Sequence, residues 1–336
     1  MKRDWSNLGF VALLPFLAVL VIYATEAFVR STFFVCNDET VCQSIPANIW
    51  NVLKTDSEIN KSISTGLVDT DEVREVIALR YSGRITWFFL GEIFVLVSIV
   101  SLGVASVLAF QLLPKPRILW TLGVVVLSLI VGFLLYANPK THMTIFLAIF
   151  EEAITPDVPA IGQITDFLNS LGNVAVFSLL LTICATLLPS NDETFPEGMK
   201  QLSRKMKYLR IILYTGTFLL ITAILLKKSI YQWSLAYTSQ DEVALTTATD
   251  FIASLLTLDG GFYTLVLAAG YFPAALVLQR RAQLLVDPSV EEVEKEKKLQ
   301  ENGLTFSFRE SLPRILAILG PFLAGPIGDL LTGKFF

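Results

Sequence analysis

The run ITWFFLGEIFVLVSIVSLGVASVLAFQLL, residues Ile85–Leu113, holds one charged side chain, Glu92, in 29 positions. As a helix rising about 1.5 Å per residue it is about 43 Å long, against a hydrocarbon core of about 30 Å. A tilted membrane-spanning helix suits that composition. Its apolar residues are continuous rather than alternating, which argues against a transmembrane barrel.

The run also has a sidedness. Gly91, Ser98 and Ala105 recur every seventh residue, with Ser101 and Ala109 close to the same face. Small residues let a second helix approach closely, and in lipid such packing replaces the hydrophobic drive. We read Gly91, Ser98 and Ala105 as a helix-packing face, available to another helix or to a second copy of the chain. Phe89, Val97, Val100, Val104 and Val107 are read as the lipid side.

Outward from this run, the 336-residue chain is 53% hydrophobic and 17% charged, against about 25% charged in soluble domains. Six apolar runs are candidate spans: Leu8–Val29, Ile85–Leu113, Ile118–Ala137, Asn173–Leu188, Ile211–Leu226 and Thr257–Gln279. The expected fold is an all-α integral membrane bundle of about six helices, with a broken C-terminal interfacial or re-entrant segment. Residues 1–284 form the transmembrane domain, with an outer loop at 30–84, an outer interfacial segment at 138–171 and a basic cytoplasmic loop at 190–210. Residues 285–310 form a charged cytoplasmic helix, and 311–336 the C-terminal segment.

Lys and Arg set the orientation of such a bundle. With both termini cytoplasmic, 17 of the 26 basic residues fall on the inner side and 9 on the outer. The acids are skewed the other way. This pattern predicts an integral protein of a bacterial inner membrane. The basic residues Lys200, Arg204, Lys205, Lys207 and Arg210 suit anionic headgroups, worth about 1 kcal/mol each near the surface. The first run is read as an uncleaved span rather than a signal peptide, because Thr25-Glu26-Ala27 is a poor cleavage pattern.

The connectors carry further readings. Cys36 and Cys42 can close a small disulfide if the outer side is oxidising. Asp69 to Glu72 reads as a helix start that continues into the second span. Tyr231, Trp233 and Tyr237 read as an interfacial aromatic belt. Glu291–Lys295 and Glu294–Lys298 are favourable i,i+4 pairs, and Gly303 stops their helix.

Catalytic signatures are missing from the sequence. It has no GxSxG, HExxH, GxxxxGK[ST] or CxxC pattern. Pro326-Ile327-Gly328-Asp329 carries part of the GxGD pattern of intramembrane aspartyl proteases but lacks its first glycine and a second intramembrane aspartate. His142 stands alone and makes no metal site. No cofactor, metal or nucleic-acid partner is indicated, and an enzyme is the least favoured class.

Two features point to function. Glu92 is an acid inside a span, a candidate ion or proton site because burying it without a partner is costly. Gly270, Pro273, Gly320, Pro321, Gly325 and Pro326 are candidate helix breaks, where free backbone groups can hold an ion. The expected function is permeation of ions or small solutes, by a channel or transporter, with self-association or assembly into a membrane complex. The alternative is a membrane-embedded scaffold or effector subunit that binds partners through the outer loop and cytoplasmic tail.

Overall fold

The computed structural model describes residues 71–112, 154, 160–188, 197–237, 242–286, 292–304 and 308–332. The predicted spans Leu8–Val29 and Ile118–Ala137, the Cys36–Cys42 pair, Asp69 and His142 lie outside the described residues. Among those described there are six helices and no strand: α1 (Asp71–Leu112), α2 (Ile161–Thr186), α3 (Glu197–Leu235), α4 (Glu242–Leu285), α5 (Glu292–Glu301) and α6 (Phe308–Thr332). The first four are long and apolar enough to cross a membrane.

The helices outrun the apolar stretches that located them. α1 is continuous from Asp71, so the acidic start and the apolar run are one rod of 42 residues. α2 begins at Ile161 rather than Asn173. The last proline before it is Pro159, and nothing between Ile161 and Thr186 stops a helix. Ile161–Leu168 is therefore the first part of a long helix, not a separate interfacial piece. α3 starts at Glu197, so Lys200–Arg210 are early turns of the helix instead of a loop. Apolar content marks where a helix can meet hydrocarbon; backbone hydrogen bonding carries it further.

α3 is the hub, packing against α1, α2, α4 and α6. α1, α2 and α4 run one way, and α3 and α6 run the other. Two ends can be named from their residues. At the basic end, Lys205 donates to the Leu188 carbonyl that follows α2, and Arg204 and Tyr208 meet Gln111 of α1. At the aromatic end, Trp233 lies against Trp87, ring centroids 5.9 Å apart, and Arg80 of α1 donates to the Ala236 carbonyl at 3.1 Å. The Arg80 guanidinium also covers the Tyr237 ring at 4.1 Å. Tyr231, Trp233 and Tyr237 are all buried. They bolt α3 to its neighbours and do not form the outward-facing belt expected of them.

On α1, Gly91, Ser98, Ser101, Ala105 and Ala109 are buried. Thr182 of α2 donates to the Ala105 carbonyl at 3.3 Å, and a Cβ on Gly91 would meet Leu168 at 3.8 Å. This face is occupied within the chain by α2. Phe89, Val100 and Val107 are exposed on the other side with Leu96 and Ile99. A patch of that size belongs against lipid or protein. Val97, expected there, is buried instead.

The largest departure is α6. It is one helix of 25 residues running through Gly320-Pro321 and Gly325-Pro326, not two half-helices. Proline at 321 removes the N–H that would bond the Ala317 carbonyl. Thr217 of α3 supplies a replacement, its hydroxyl 3.0 Å from that oxygen. A side chain from a neighbouring helix thus repairs the break. α6 runs from the basic end toward the aromatic end along α3 and α4, whereas the two-cytoplasmic-termini expectation had it stay at the basic end. α4 likewise passes unbroken through Gly270 and Pro273.

α5 ends as the sequence predicts. Gly303 has φ +65°, and Leu304 N–H bonds the Leu299 carbonyl at 2.9 Å while Gly303 N–H bonds Gln300 at 2.9 Å. Leu299 and Leu304 are both buried, completing a Schellman cap. Arg210 donates to the Gly303 carbonyl and Ser203 to that of Asn302, tying the cap to α3. Gly303→Ala is expected to cost about 1 kcal/mol, since only glycine adopts this backbone freely; urea or thermal unfolding in detergent measures it. Within α5, the Lys298 ammonium lies 2.9 Å from Glu294 and holds that carboxyl below its usual range. The benefit exists above the ordinary carboxylate pKa and fades as pH falls through the lowered one.

Candidate polar site between the helices

Among the described residues the buried polar side chains are mostly Ser and Thr, and the buried charged ones are Lys228, Asp259 and Arg314. Lys227 of α3 and Asp259 of α4 form an ion pair, Nζ to Oδ2 2.9 Å, with side chains only 20% and 7% exposed. The Lys227 ammonium also lies 5.4 Å from the centre of the Tyr263 ring. Neither charge is at a helix end. α3 continues two turns past Lys227 to Leu235, and α4 begins about 25 Å before Asp259 at 1.5 Å per residue.

Beside Lys227 there is a cavity of about 70 Å³ between α1, α2, α3 and α4. Trp87 and Phe94 close it on the α1 side. Asn169 and Asn173 line it from α2, four residues apart on one helical face, and Tyr263 lines it from α4. Its lining is mostly apolar, with Asn169, Asn173 and Lys227 among its few polar groups, and a water held there needs two to four partners. Two amides and an ammonium supply them. The volume suits a few waters or a small ion and excludes a larger solute without helix movement.

A second seam lies on the side of α6. Lys228 is 3% exposed, and its Nζ lies 3.5 Å from the Gly325 carbonyl. Gly260, next to Asp259, has α6 directly on it: a Cβ there would lie 2.8 Å from the Pro321 carbonyl oxygen.

No family model, curated protein or solved structure matches this chain. The site therefore has to be read from its own chemistry.

The structure redistributes the sequence candidates. Glu92 is on the outward face of α1, exposed, and away from the cavity-lining residues. Gly270 lies in a separate apolar crevice with Tyr271, and Pro273 is half-buried within α4. Gly320 and Gly325 face α3 and α4 as contact points. Pro321 is buried and Pro326 lies within the α6 backbone. None of these six forms a broken-helix site. Glu92→Gln is expected to change the stability of the purified protein by less than about 0.5 kcal/mol, the range of exposed substitutions. Thermal unfolding of the two forms in one detergent checks this.

Asn169, Asn173, Lys227, Asp259 and Tyr263 were missed in the sequence. Lys227 and Asp259 sit at the edges of apolar runs, where composition assigns charges to loops. The usable signal was the Asn169/Asn173 spacing, an i,i+4 pair of amides at the start of an apolar helix.

Proposed function

We propose that this chain is a multi-pass membrane protein that moves a small cation or protons through its helix bundle, with Lys227 and Asp259 as the charged gate. The observation that supports this is the Lys227–Asp259 pair, placed inside two long apolar helices beside a cavity that Asn169 and Asn173 also line. Ionisable residues inside a membrane are costly and mark ion or proton paths. A pair that can open gives a carboxylate to a passing cation and returns it to lysine afterwards. Asn169, Asn173 and Tyr263 would hold the water or ion next to it.

In this reading the basic end faces the cytoplasm, by the asymmetry of Lys and Arg, and the membrane is a bacterial inner membrane. α6, if it crosses with α3 and α4, carries the C-terminal turn to the outer side. Assembly with other copies or subunits would use the exposed α1 face of Phe89, Leu96 and Val100. The scaffold reading uses the outer loop and the 285–336 tail as binding surfaces; α6 packed along α3 and α4 lends less support to the tail half of it.

Reconstitution into vesicles with a proton- or cation-sensitive dye inside tests the proposal. Wild-type protein is expected to dissipate an imposed gradient, and Asp259→Asn to slow it at least tenfold. A wild-type protein that conducts nothing, or an Asp259→Asn variant that conducts normally, overturns it.

A further inference from the structure

α6 sits on the reverse side of the residues that carry the charged pair. Lys227 reaches Asp259; the next residue on each helix, Lys228 and Gly260, meets α6. On α3 the seat comprises Thr217, Ile221 and Lys228, which share one helical face. Thr217 donates to the Ala317 carbonyl at 3.0 Å, and Lys228 approaches that of Gly325 at 3.5 Å. A Cβ on Gly320 would meet Ile221 Cδ1 and Thr217 Cγ2, each at 3.0 Å. On α4 the contact is backbone to backbone, with Phe322 Cα 2.9 Å and the Pro321 carbonyl oxygen 2.8 Å from where a Gly260 Cβ would lie.

We propose that α6 is a strap across α3 and α4 whose seating on Gly260 sets the separation of Lys227 from Asp259. This inference concerns the gate named above, but the geometry it rests on does not depend on what passes. α3 and α4 are antiparallel neighbours, and α6 bridges both on one side of their seam. A helix is stiff, so a shift at Gly260 moves Asp259, its covalent neighbour. A shift at Lys228 moves Lys227 in the same way. Packed interfaces repack between discrete arrangements rather than stretch. Lifting α6 therefore leaves α3 and α4 free to separate, and the 2.9 Å contact lengthens.

The glycine explains why the strap can sit so low. At Gly260 the obstruction is main chain, which cannot rotate aside, so even alanine lifts α6. At Gly320 the obstruction is the ends of two side chains, which can yield. The two positions therefore grade the displacement: Gly260→Ala moves the strap more than Gly320→Ala.

A double-mutant cycle in the full-length protein reads the pair directly. Lys227→Met, Asp259→Asn and the two together are melted in detergent, in the wild-type background and with Gly260→Ala. In the wild type the Tm losses are expected to be clearly less than additive, because either change alone breaks the same pair. With Gly260→Ala they become additive within error. Gly320→Ala, which folds with a smaller displacement, gives an intermediate value and serves if Gly260→Ala does not fold. Unchanged non-additivity in Gly260→Ala, or in Gly320→Ala where the first does not fold, overturns the strap. The gradient assay separates this from the functional proposal. A wild-type protein that conducts nothing, with coupling still lost on Gly260→Ala, leaves the strap standing and removes permeation. Conduction by the wild type with coupling preserved in Gly260→Ala does the reverse.

Discussion

Lys227→Ala is expected to destabilise the helix bundle by about 3–5 kcal/mol, the range for removing one partner of a buried ion pair. Asp259→Ala should cost less. The difference follows from exposure. Asp259 is the more buried partner, at 7% against 20% for Lys227. Without lysine, a carboxylate on a short side chain is left in the less exposed of the two positions. Without aspartate, the ammonium stands on a long flexible stem that can bend toward a wetter region. Lys227→Met with Asp259→Leu should recover most of the loss, since an apolar pair of similar volume has no charge to desolvate. Unfolding in mixed micelles ranks the variants, and the order Lys227→Ala, Asp259→Ala, double replacement is the result to look for. If the double apolar variant is stable yet passes no current, the pair is retained for conduction rather than for stability. That outcome would match the tenfold slowing expected of Asp259→Asn.

The same residues show what the sequence could and could not reveal. Composition located α1 through α4, from apolar runs of 16 residues (Asn173–Leu188 and Ile211–Leu226) up to 29 (Ile85–Leu113). It placed their ends badly. Charge closes an apolar window, so Lys227 and Lys228 fall just outside the run Ile211–Leu226 and Asp259 at the very start of Thr257–Gln279, yet each lies well inside a helix. Their burial depends on partners from other helices, which no local window contains. Pro321 shows the same limit: read alone it breaks a helix, but Thr217, about a hundred residues away in sequence, repairs the carbonyl it frees. Gly303 was legible for the opposite reason. Its cap is built from Leu299 to Leu304, all within one turn and its exit. The small-residue face of α1 was visible by its spacing. Its occupant was not, because spacing shows that something packs there but not whether it comes from α2 or from another copy.

Trp233 supports the second large prediction. In an aromatic belt it would lie in the headgroup region, and its loss would be mild. In the bundle it is 1% exposed, packed on Trp87 and on the bare backbone of Gly83. Trp233→Ala should therefore cost about 3–5 kcal/mol through lost contacts and an unfilled cavity. Gly83→Leu attacks the same contact from α1. A Cβ at Gly83 would lie 2.6 Å from Trp233 Cδ1 and 2.9 Å from its Cβ, so the first atom of any side chain already overlaps. Overpacking of this kind costs about 1–3 kcal/mol. The ring cannot swing clear, because Trp87 stands beside it and α3 holds its backbone. The pair of variants offers a test that neither gives alone: with Trp233→Ala in place, the room left by the indole should accept the leucine. Gly83→Leu would then add little or even restore stability. Additive losses would mean that α1 and α3 are not in contact at this level, and the aromatic end of the bundle would have to be redrawn.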